Sequence, residues 1–213
     1  MTFKAIIFDC DGVLMDSEVV CCKLSAQYLM ELGISISVDE YMDRYMGKNL
    51  GHALVDCGFN GNGFREIERT HLFSRAFAKQ LKAIPGVDKV LSNLSIPYAI
   101  ASGSSLERLH KTLEITKLDR FFSKDKVFSV EQVARPKPAP DVFLLAAEKL
   151  GILPSECLVI EDGTFGAKGA LEAGMHVYGF SGASHMTEKR IKKLKDVGVK
   201  HIFGSMAELS LAL

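Results

Sequence analysis

Two aspartates at the end of an apolar run are the residues of this chain best suited to chemistry. Asp9 and Asp11 follow the stretch Ala5–Phe8 and are separated by a single residue. Carboxylates this close repel each other unless a cation or a shared proton compensates, so their spacing predicts a metal site or an acid–base pair. A solvated acidic turn would be the better interpretation of an isolated pair. We reject it because three further stretches of the chain complete one site.

The element that must position this pair is a buried parallel strand. The run is rich in β-branched residues, ends at Phe8, and is followed by Gly12, which lets the chain turn away. In an open α/β sheet, ligands bind at the C-terminal ends of the strands. Asp9 and Asp11 are therefore expected at the ligand-binding edge of such a sheet.

A second apolar strand, residues 97–102, ends in the hydroxyl of Ser102 and is followed by Gly103. Ser104 and Glu107 have the spacing of a capping box, which predicts that a helix begins there and runs through residue 113. The N-terminus of that helix would point to the same sheet edge, where free backbone N–H groups suit a phosphate group.

A short strand at 127–130 is followed by a proline-rich segment in which Lys137 stands between two prolines. Prolines restrict the backbone, so this lysine is a better candidate for a positioned charge than a lysine in an ordinary surface loop. Pro140 is placed to begin a helix that reaches Leu150 and is terminated by Gly151.

A further apolar strand, residues 157–160, ends in the acids Glu161 and Asp162. The glycine-rich run 163–170 has the wrong spacing for a P-loop or a dinucleotide fingerprint. We interpret it as a helix whose small residues allow close packing on the sheet. Two more strands, at 175–180 and 201–203, and helices at 187–197 and from 205 onward complete the chain.

Roughly seventy residues of helical pattern separate the first two strands, which is too long for one crossover connection. We therefore predict an α/β protein with a Rossmann-like parallel sheet core, residues 1–15 and 85–213, and an inserted all-helical domain, residues 16–84. The first inserted helix is predicted because Cys21, Leu24, Tyr28 and Leu32 are spaced by three or four residues. The predicted inserted helices are 17–32, 38–46, 50–57 and 64–84.

Composition excludes several classes of protein. The 213 residues carry 26 basic and 26 acidic side chains, so no net charge favours nucleic acid. The five cysteines lack metal-ligand spacing, which favours free thiols in a reducing, cytoplasmic compartment. We find no signal peptide and no run that could span a membrane. The expected partner is a small phosphorylated metabolite, with no nucleic acid and no membrane, and the expected state is a monomer or weak dimer.

Four stretches in order resemble the motifs of the haloacid dehalogenase (HAD) superfamily of phosphotransferases: DCDGVLMDSE, IASGS, ARPKPAPDVF and VIEDGTFGAKGALEAGM. The helical insert after the first motif is similar to the small cap of the β-phosphoglucomutase-like branch. The opening DCDGVLMDSEVVC is similar to the bacterial sugar-phosphate phosphatases of that branch. The resemblance covers essentially the whole chain and implies a HAD-type core with a helical cap.

The resemblance implies a Mg²⁺-dependent phosphatase of sugar, sugar-acid or polyol phosphates. Asp9 would be the nucleophile that forms an aspartyl-phosphate, and Asp11 the general acid and base. The implied Mg²⁺ ligands are Asp9, Asp162 and the backbone carbonyl of Asp11, with Glu161 acting through a water. The implied phosphate-binding residues are Ser102, Gly103 and Lys137.

Residues of the insert would set substrate specificity, and the weakly supported candidates are Arg44, Lys48, Asn49 and Lys79. The chain departs from the mutase pattern at two insert positions, where Cys21 and Leu50 replace a histidine and an arginine. These departures disfavour a hexose-phosphate mutase, which remains the first alternative. A phospho-ligand-binding protein without turnover is the second. Pro136 and Gly163 also depart from the family pattern, and Gly163 removes a hydroxyl next to the last pair of acids.

Overall fold

The computed structural model describes residues 3–46, 50–58, 75 and 78–212. The chain divides into two compact units. The first unit combines Met1–Asp16 with Lys82–Leu213, and the second is Ser17–Leu81.

A six-stranded parallel sheet forms the first unit, in the order β3-β2-β1-β4-β5-β6. Its strands are β1 (Ala5–Phe8), β2 (Tyr98–Ser102), β3 (Val127–Ser129), β4 (Cys157–Glu161), β5 (His176–Phe180) and β6 (His201–Phe203). Ile7 of β1 is in register with Ala99 of β2 and with Val159 of β4. The predicted parallel α/β sheet is confirmed. The strand order reverses beside β1, which is the place where open α/β sheets bind ligands.

Helices of the first unit pack against the strands of the sheet. The helices of the first unit are α4 (Val87–Asn93), α5 (Leu106–Thr116), α6 (Asp141–Leu150), α7 (Thr164–Glu172), α8 (Glu188–Asp196) and α9 (Met206–Ala212). Buried apolar side chains of β1, β2 and β4 form one cluster with Phe143 of α6 and Ala167 of α7. Burial in this apolar layer explains why the sequences of β1, β2 and β4 are nearly unbroken hydrophobic runs.

The chain leaves the first unit and returns to it at adjacent points. The N–H of Asp16 donates to the carbonyl of Lys82 at 3.0 Å, and the N–H of Ile84 donates to the carbonyl of Leu14 at 2.9 Å. Met15 and Ala83 form an antiparallel bridge. The predicted helix 64–84 is therefore too long at its C-terminal end. Residues 78–80 are helical, and the chain then becomes extended because it pairs with residues 14–16.

The second unit contains α1 (Glu18–Glu31), α2 (Val38–Tyr45) and α3 (Leu50–Asp56). Their shared core includes Leu29 of α1, Tyr41 of α2 and Leu54 of α3. The predicted helix is present, and Tyr28 and Leu32, two of the residues whose spacing predicts it, are half-buried and pack against this core. The fully buried side chains lie on the adjacent face, because this helix is apolar around much of its circumference and spacing alone does not select a side; they are Cys22, Ser25, Ala26 and Leu29.

Across the described part of the chain, every helix is too short or too polar to traverse a lipid bilayer.

Candidate active site

Three carboxylates lie together where β1 and β4 end. Asp9 follows β1, Glu161 ends β4, and Asp162 follows it. One oxygen from each of the three lies within 4.8 Å of the others. Asp9 is 7% exposed and Glu161 3% exposed, so these acids are held largely away from water. The sequence-based prediction that the two motifs meet at one sheet edge agrees with this placement.

Lys137 is the cation that faces this group. Its Nζ donates to Asp9 Oδ1 at 2.7 Å and to Glu161 Oε1 at 3.4 Å. The side chain is 10% exposed, and Nζ lies 4.8 Å from the centroid of the Phe143 ring. A lysine placed by a proline-rich segment thus contributes a fixed positive charge inside the acidic cluster.

Burial sets the proton affinity of the cluster. Loss of solvent raises the pKa of Glu161 well above its ordinary value, and the charge of Asp9 raises that pKa further. The same two causes raise the pKa of Asp162 well above its ordinary value. Burial also raises the pKa of Asp9, against the opposing charge of Lys137. For Lys137, burial favours the neutral amine, but Asp9 and Glu161 outweigh it and raise the pKa above its ordinary value. One lysine does not balance three buried acids.

The donor atoms fit a hard divalent cation. All three side chains offer carboxylate oxygens, the ligands that Mg²⁺ and related cations prefer. Glu161 Oε2 is buried and has no hydrogen-bond partner, so a buried acceptor faces no donor. A cation among these oxygens would satisfy that acceptor and offset the excess negative charge. The structure gives Glu161 a place in the same cluster as the two aspartates; its predicted action through a water remains a prediction.

Asp11 lies outside this group of three and has a different environment. Its Oδ2 accepts a hydrogen bond from Ser104 Oγ at 2.7 Å, and its Oδ1 accepts one from Arg108 Nη2 at 2.9 Å. Ser104 is itself held in place because its carbonyl accepts a 2.7 Å hydrogen bond from Ser129 Oγ. Both oxygens of Asp11 are therefore oriented by side chains of the second motif region. A carboxylate held apart from the metal-type cluster can serve proton transfer.

Ser102 is 1% exposed and begins the turn that carries Ser104. Its Oγ accepts from the N–H of Ser104 at 3.1 Å, and the neighbouring Gly103 is exposed. The predicted capping box is wrong by one residue. Ser105 caps α5 by accepting from the N–H of Arg108, because the Ser104 hydroxyl is engaged by Asp11.

The N-terminus of α5 is also less open than expected. Its first N–H, that of Leu106, donates to Glu131 Oε2 at 3.0 Å. This bond and the Ser105 cap occupy donors that the sequence analysis assigned to phosphate. Ser102, Gly103 and Lys137 remain the candidates for phosphate binding in this part of the site.

A histidine joins the loops that follow β1, β4 and β5. His185 is 4% exposed, and its Nε2 lies 2.8 Å from Asp162 Oδ2. Gly12 makes this approach possible: at its φ of +84°, a Cβ would lie 2.0 Å from Asp162 Oδ2 and 2.9 Å from His185 Cε1. Gly12 is therefore required both for the turn and for the space that it leaves.

The glycine-rich run forms α7, as predicted, and its small residues serve close packing. A Cβ on Gly166 would lie 1.9 Å from Glu161 Oε1. A Cβ on Gly169 would lie 2.9 Å from the carbonyl oxygen of Ala139, two residues after Lys137. These glycines allow α7 to lie directly against the acids and against the segment that carries the lysine.

The predicted specificity residues belong to the second unit. Arg44 is half exposed and forms a salt bridge with Glu40 at 3.1 Å on the surface of α2. Lys79 is exposed. Lys48 and Asn49 lie outside the described residues. A role in substrate contact stays a prediction for all four.

Comparison with known proteins identifies the family. Residues 6–180 match the haloacid dehalogenase-like hydrolase family. The chain belongs to this family. The HAD resemblance and the hydrolase class predicted from the four motifs are therefore confirmed. A 6-phosphogluconate phosphatase of Escherichia coli strain K12 is 29% identical to this HAD-like chain over 188 residues, which cover 85% of the chain and 84% of the relative.

Solved structures share the HAD-like fold over almost the whole chain. A HAD-like protein of Agrobacterium tumefaciens is 34% identical, with a TM-score of 0.87 and coverage of 99% of this chain and 97% of that one. A HAD family hydrolase of Deinococcus radiodurans, solved with phosphate and sodium, is 30% identical, with a TM-score of 0.83 and coverage of 99% and 94%. A Thermotoga maritima protein provisionally described as a β-phosphoglucomutase is 26% identical, with a TM-score of 0.80 and coverage of 98% and 98%.

Sequence reasoning did not identify Ser104, Arg108 and His185 as residues of this HAD-like site. The spacing around Ser104 predicts a helix cap rather than a contact with Asp11, and Arg108 lies in the first turn of α5. His185 follows the end of β5, so the rule that ligands bind beyond strand ends could have selected its loop. Nothing in the sequence distinguished the histidine from its neighbours, because its partner, Asp162, lies 23 residues before it.

Proposed function

We propose that this HAD-like enzyme is a Mg²⁺-dependent phosphatase that hydrolyses small phosphate monoesters through an aspartyl-phosphate on Asp9. Sugar, sugar-acid and polyol phosphates are the proposed substrates. The observation that carries the proposal is the separation of two aspartates from one motif. Asp9 lies in a buried carboxylate cluster with Lys137, whereas Asp11 is oriented by Ser104 and Arg108.

The first step is the attack of an Asp9 oxygen on the phosphorus. One oxygen of Asp9 is held by Lys137 at 2.7 Å, so the carboxylate has a fixed direction. Lys137 also neutralises charge on the transferring phosphoryl group, and Ser102 with Gly103 supplies further polar contacts to it. Positioning and electrostatic stabilisation provide most of the catalysis in phosphoryl transfer.

The second role belongs to Asp11. As a carboxylic acid it donates a proton to the leaving oxygen of the ester, and as the resulting carboxylate it removes a proton from the water that hydrolyses the aspartyl-phosphate. Its contacts with Ser104 and Arg108 hold the side chain in place for both steps. The site therefore divides nucleophilic and proton-transfer chemistry between two residues that are two positions apart.

The acids Asp9 and Asp162 would hold Mg²⁺ together with the backbone carbonyl of Asp11, and Glu161 would contribute from the same cluster. When bound, the cation neutralises negative charge on the phosphoryl oxygens and on the acids. The unpartnered Glu161 Oε2 and the all-oxygen donor set support this assignment.

The second unit is proposed as the cap that selects the substrate. The family relatives include a 6-phosphogluconate phosphatase, which supports a sugar-type ester. The likeness to the Thermotoga maritima protein provisionally described as a β-phosphoglucomutase makes isomerisation the alternative to test. Cys21 and Leu50 disfavour it, because neither side chain carries a charge that could bind a second phosphate group.

The deciding experiment is a hydrolysis screen of purified protein against sugar, sugar-acid and polyol phosphates with Mg²⁺, with inorganic phosphate and isomer formation measured in the same samples. We expect steady phosphate release without an added bisphosphate, and loss of activity when Mg²⁺ is removed by chelation. Asp9→Asn is the matched inactive control. Isomerisation with little phosphate release would overturn the phosphatase assignment in favour of a mutase. Binding of these esters without any turnover would indicate a phospho-ligand-binding protein.

A further inference from the structure

His185 belongs to none of the four motifs, yet it is buried against the candidate metal site. It is 4% exposed, and Nε2 lies 2.8 Å from Asp162 Oδ2. The group of described side chains that could jointly hold a metal contains Asp9, Glu161 and Asp162, and His185 is not a member. The imidazole therefore contacts a metal-type carboxylate from outside the cluster.

The loop that carries His185 is anchored at two positions just before the histidine. Ser181 donates through both its N–H and its Oγ to the carbonyl of Phe203, at 2.9 and 3.1 Å. Ser184 donates through its N–H and Oγ to Asp16 Oδ1, at 3.2 and 2.8 Å. These four hydrogen bonds fix the backbone that presents the imidazole.

The space between the histidine and the acid is also constrained. Gly12 places its backbone where any Cβ would overlap Asp162 and approach His185. The loops that follow β1, β4 and β5 therefore meet at one contact, and position 12 has room there only for glycine. Such close fitting holds the carboxylate of Asp162 in one orientation.

We propose that His185 is a positioning residue for the metal ligand Asp162, an inference that rests on the proposed Mg²⁺-dependent function. Nε2–H donates to Oδ2 and fixes the orientation in which the carboxylate would hold the cation. Hydrogen bonds to ligating carboxylates commonly orient them, and their loss typically costs about 10–100-fold in metal affinity.

This role predicts a change in metal selectivity as well as in affinity. Mg²⁺ requires near-ideal octahedral geometry, whereas Ca²⁺ accepts flexible arrangements and bidentate carboxylates. An Asp162 side chain that is free to rotate would bind Ca²⁺ almost as well as before. The Mg²⁺ affinity of the site should therefore fall more than its Ca²⁺ affinity when the histidine is removed.

The test measures Mg²⁺ and Ca²⁺ binding calorimetrically on the full chain, without substrate, for His185→Ala and His185→Gln. We expect His185→Ala to raise the Kd for Mg²⁺ by about 10–100-fold and the Kd for Ca²⁺ by less than about threefold. Gln presents a side-chain N–H at a similar reach, so His185→Gln should keep the Kd for Mg²⁺ within about threefold of the wild type. His201→Ala, which removes an exposed histidine of β6, is the control and should change neither constant.

Unchanged Mg²⁺ binding in a folded His185→Ala protein would overturn the proposal. Equal losses for Mg²⁺ and Ca²⁺ would also overturn it, because they indicate a direct ligand or a general distortion. If His185→Ala does not fold, His185→Gln decides: retained Mg²⁺ affinity supports an N–H donor, and a tenfold loss refutes it.

A double-mutant comparison tests whether the effect passes through Asp162. In an Asp162→Asn background, His185→Ala should lower the residual Mg²⁺ affinity no further, whereas an additional tenfold loss would contradict the proposal. Because binding is measured without turnover, the hydrolysis screen on the wild type tests the proposed function separately. An inactive protein whose metal selectivity depends on His185 would leave this inference intact.

Discussion

Replacement of Lys137 by methionine tests how much the charge of the lysine contributes to the free energy of unfolding. The substitution keeps much of the side-chain volume and removes the ammonium. At an effective dielectric constant of about 20, the charge interacts by about 6 kcal/mol with an Asp9 oxygen at 2.7 Å and by about 5 kcal/mol with a Glu161 oxygen at 3.4 Å. Desolvation of the lysine opposes this attraction by several kcal/mol.

The expected net cost follows from what remains buried. Without the lysine, Asp9 and Glu161 lose the ammonium group that contacts both of them, and removal of one partner from a buried ion pair typically costs about 3–5 kcal/mol. We therefore expect Lys137→Met to lower the free energy of unfolding by about 3–5 kcal/mol at pH 8 in metal-free buffer. Added Mg²⁺ should reduce the loss, because it supplies a countercharge to the same acids.

The decrease in the free energy of unfolding caused by Lys137→Met should be larger at high pH than at low pH. The pKa of Lys137 is raised, so its stabilising charge is fully present below its ordinary value and disappears only in strong alkali. The pKa values of the three acids are also raised, so their charges destabilise the folded state increasingly as the pH rises above their ordinary values. The difference between wild type and variant should therefore be smaller at pH 5 than at pH 8.

Urea denaturation followed by circular dichroism at the two pH values measures this difference. Lys192→Met is the matched control: it removes an exposed lysine paired with Asp196 at 2.8 Å and should cost less than about 1 kcal/mol. A loss below about 1 kcal/mol for Lys137→Met at pH 8 would refute the electrostatic account. A large loss that is equal at both pH values would assign the effect to packing.

Two further substitutions test the local geometry. Gly166→Ala should lower the free energy of unfolding by about 1–3 kcal/mol, measured by urea denaturation, because its Cβ would overlap Glu161 Oε1. The control Gly163→Ala makes only an ordinary 3.7 Å contact with the same oxygen and should lower it less. Equal losses would contradict the close approach of α7 to Glu161. Arg108→Met should lower kcat for a sugar phosphate by about tenfold or more, and for p-nitrophenyl phosphate by less, since an activated leaving group needs little acid assistance. Equal losses in kcat for both esters would show that Arg108 does not act through Asp11.

The sequence predicted the sheet well because each strand carries its own signal. The strands β1, β2 and β4 are short apolar runs that lead directly into polar residues, and the rule for parallel sheets brings those ends to one edge. The placement of Asp9, Lys137 and Asp162 follows from that rule without any knowledge of side-chain contacts. The small residues of α7 were likewise correctly assigned to packing.

The remaining features depend on tertiary contacts that no local pattern encodes. The spacing in α1 selects residues that are only half-buried, because the helix is apolar on several sides and tertiary packing decides which face is fully buried. Ser104 was assigned to a cap because its bond to Asp11 spans 93 residues of sequence. The end of the helix near residue 80 is set by pairing with residues 14–16, which lie far earlier in the chain.

The most direct test of the central claim is detection of a phosphoryl group on Asp9. Asp11→Asn should slow hydrolysis of the intermediate more than its formation from p-nitrophenyl phosphate, so the intermediate should accumulate. After rapid acid quench, mass spectrometry should find one added phosphoryl group on the peptide that contains Asp9, and none in the Asp9→Asn, Asp11→Asn double variant. A phosphoryl group on another residue, or turnover of Asp9→Asn at the wild-type rate, would contradict the account.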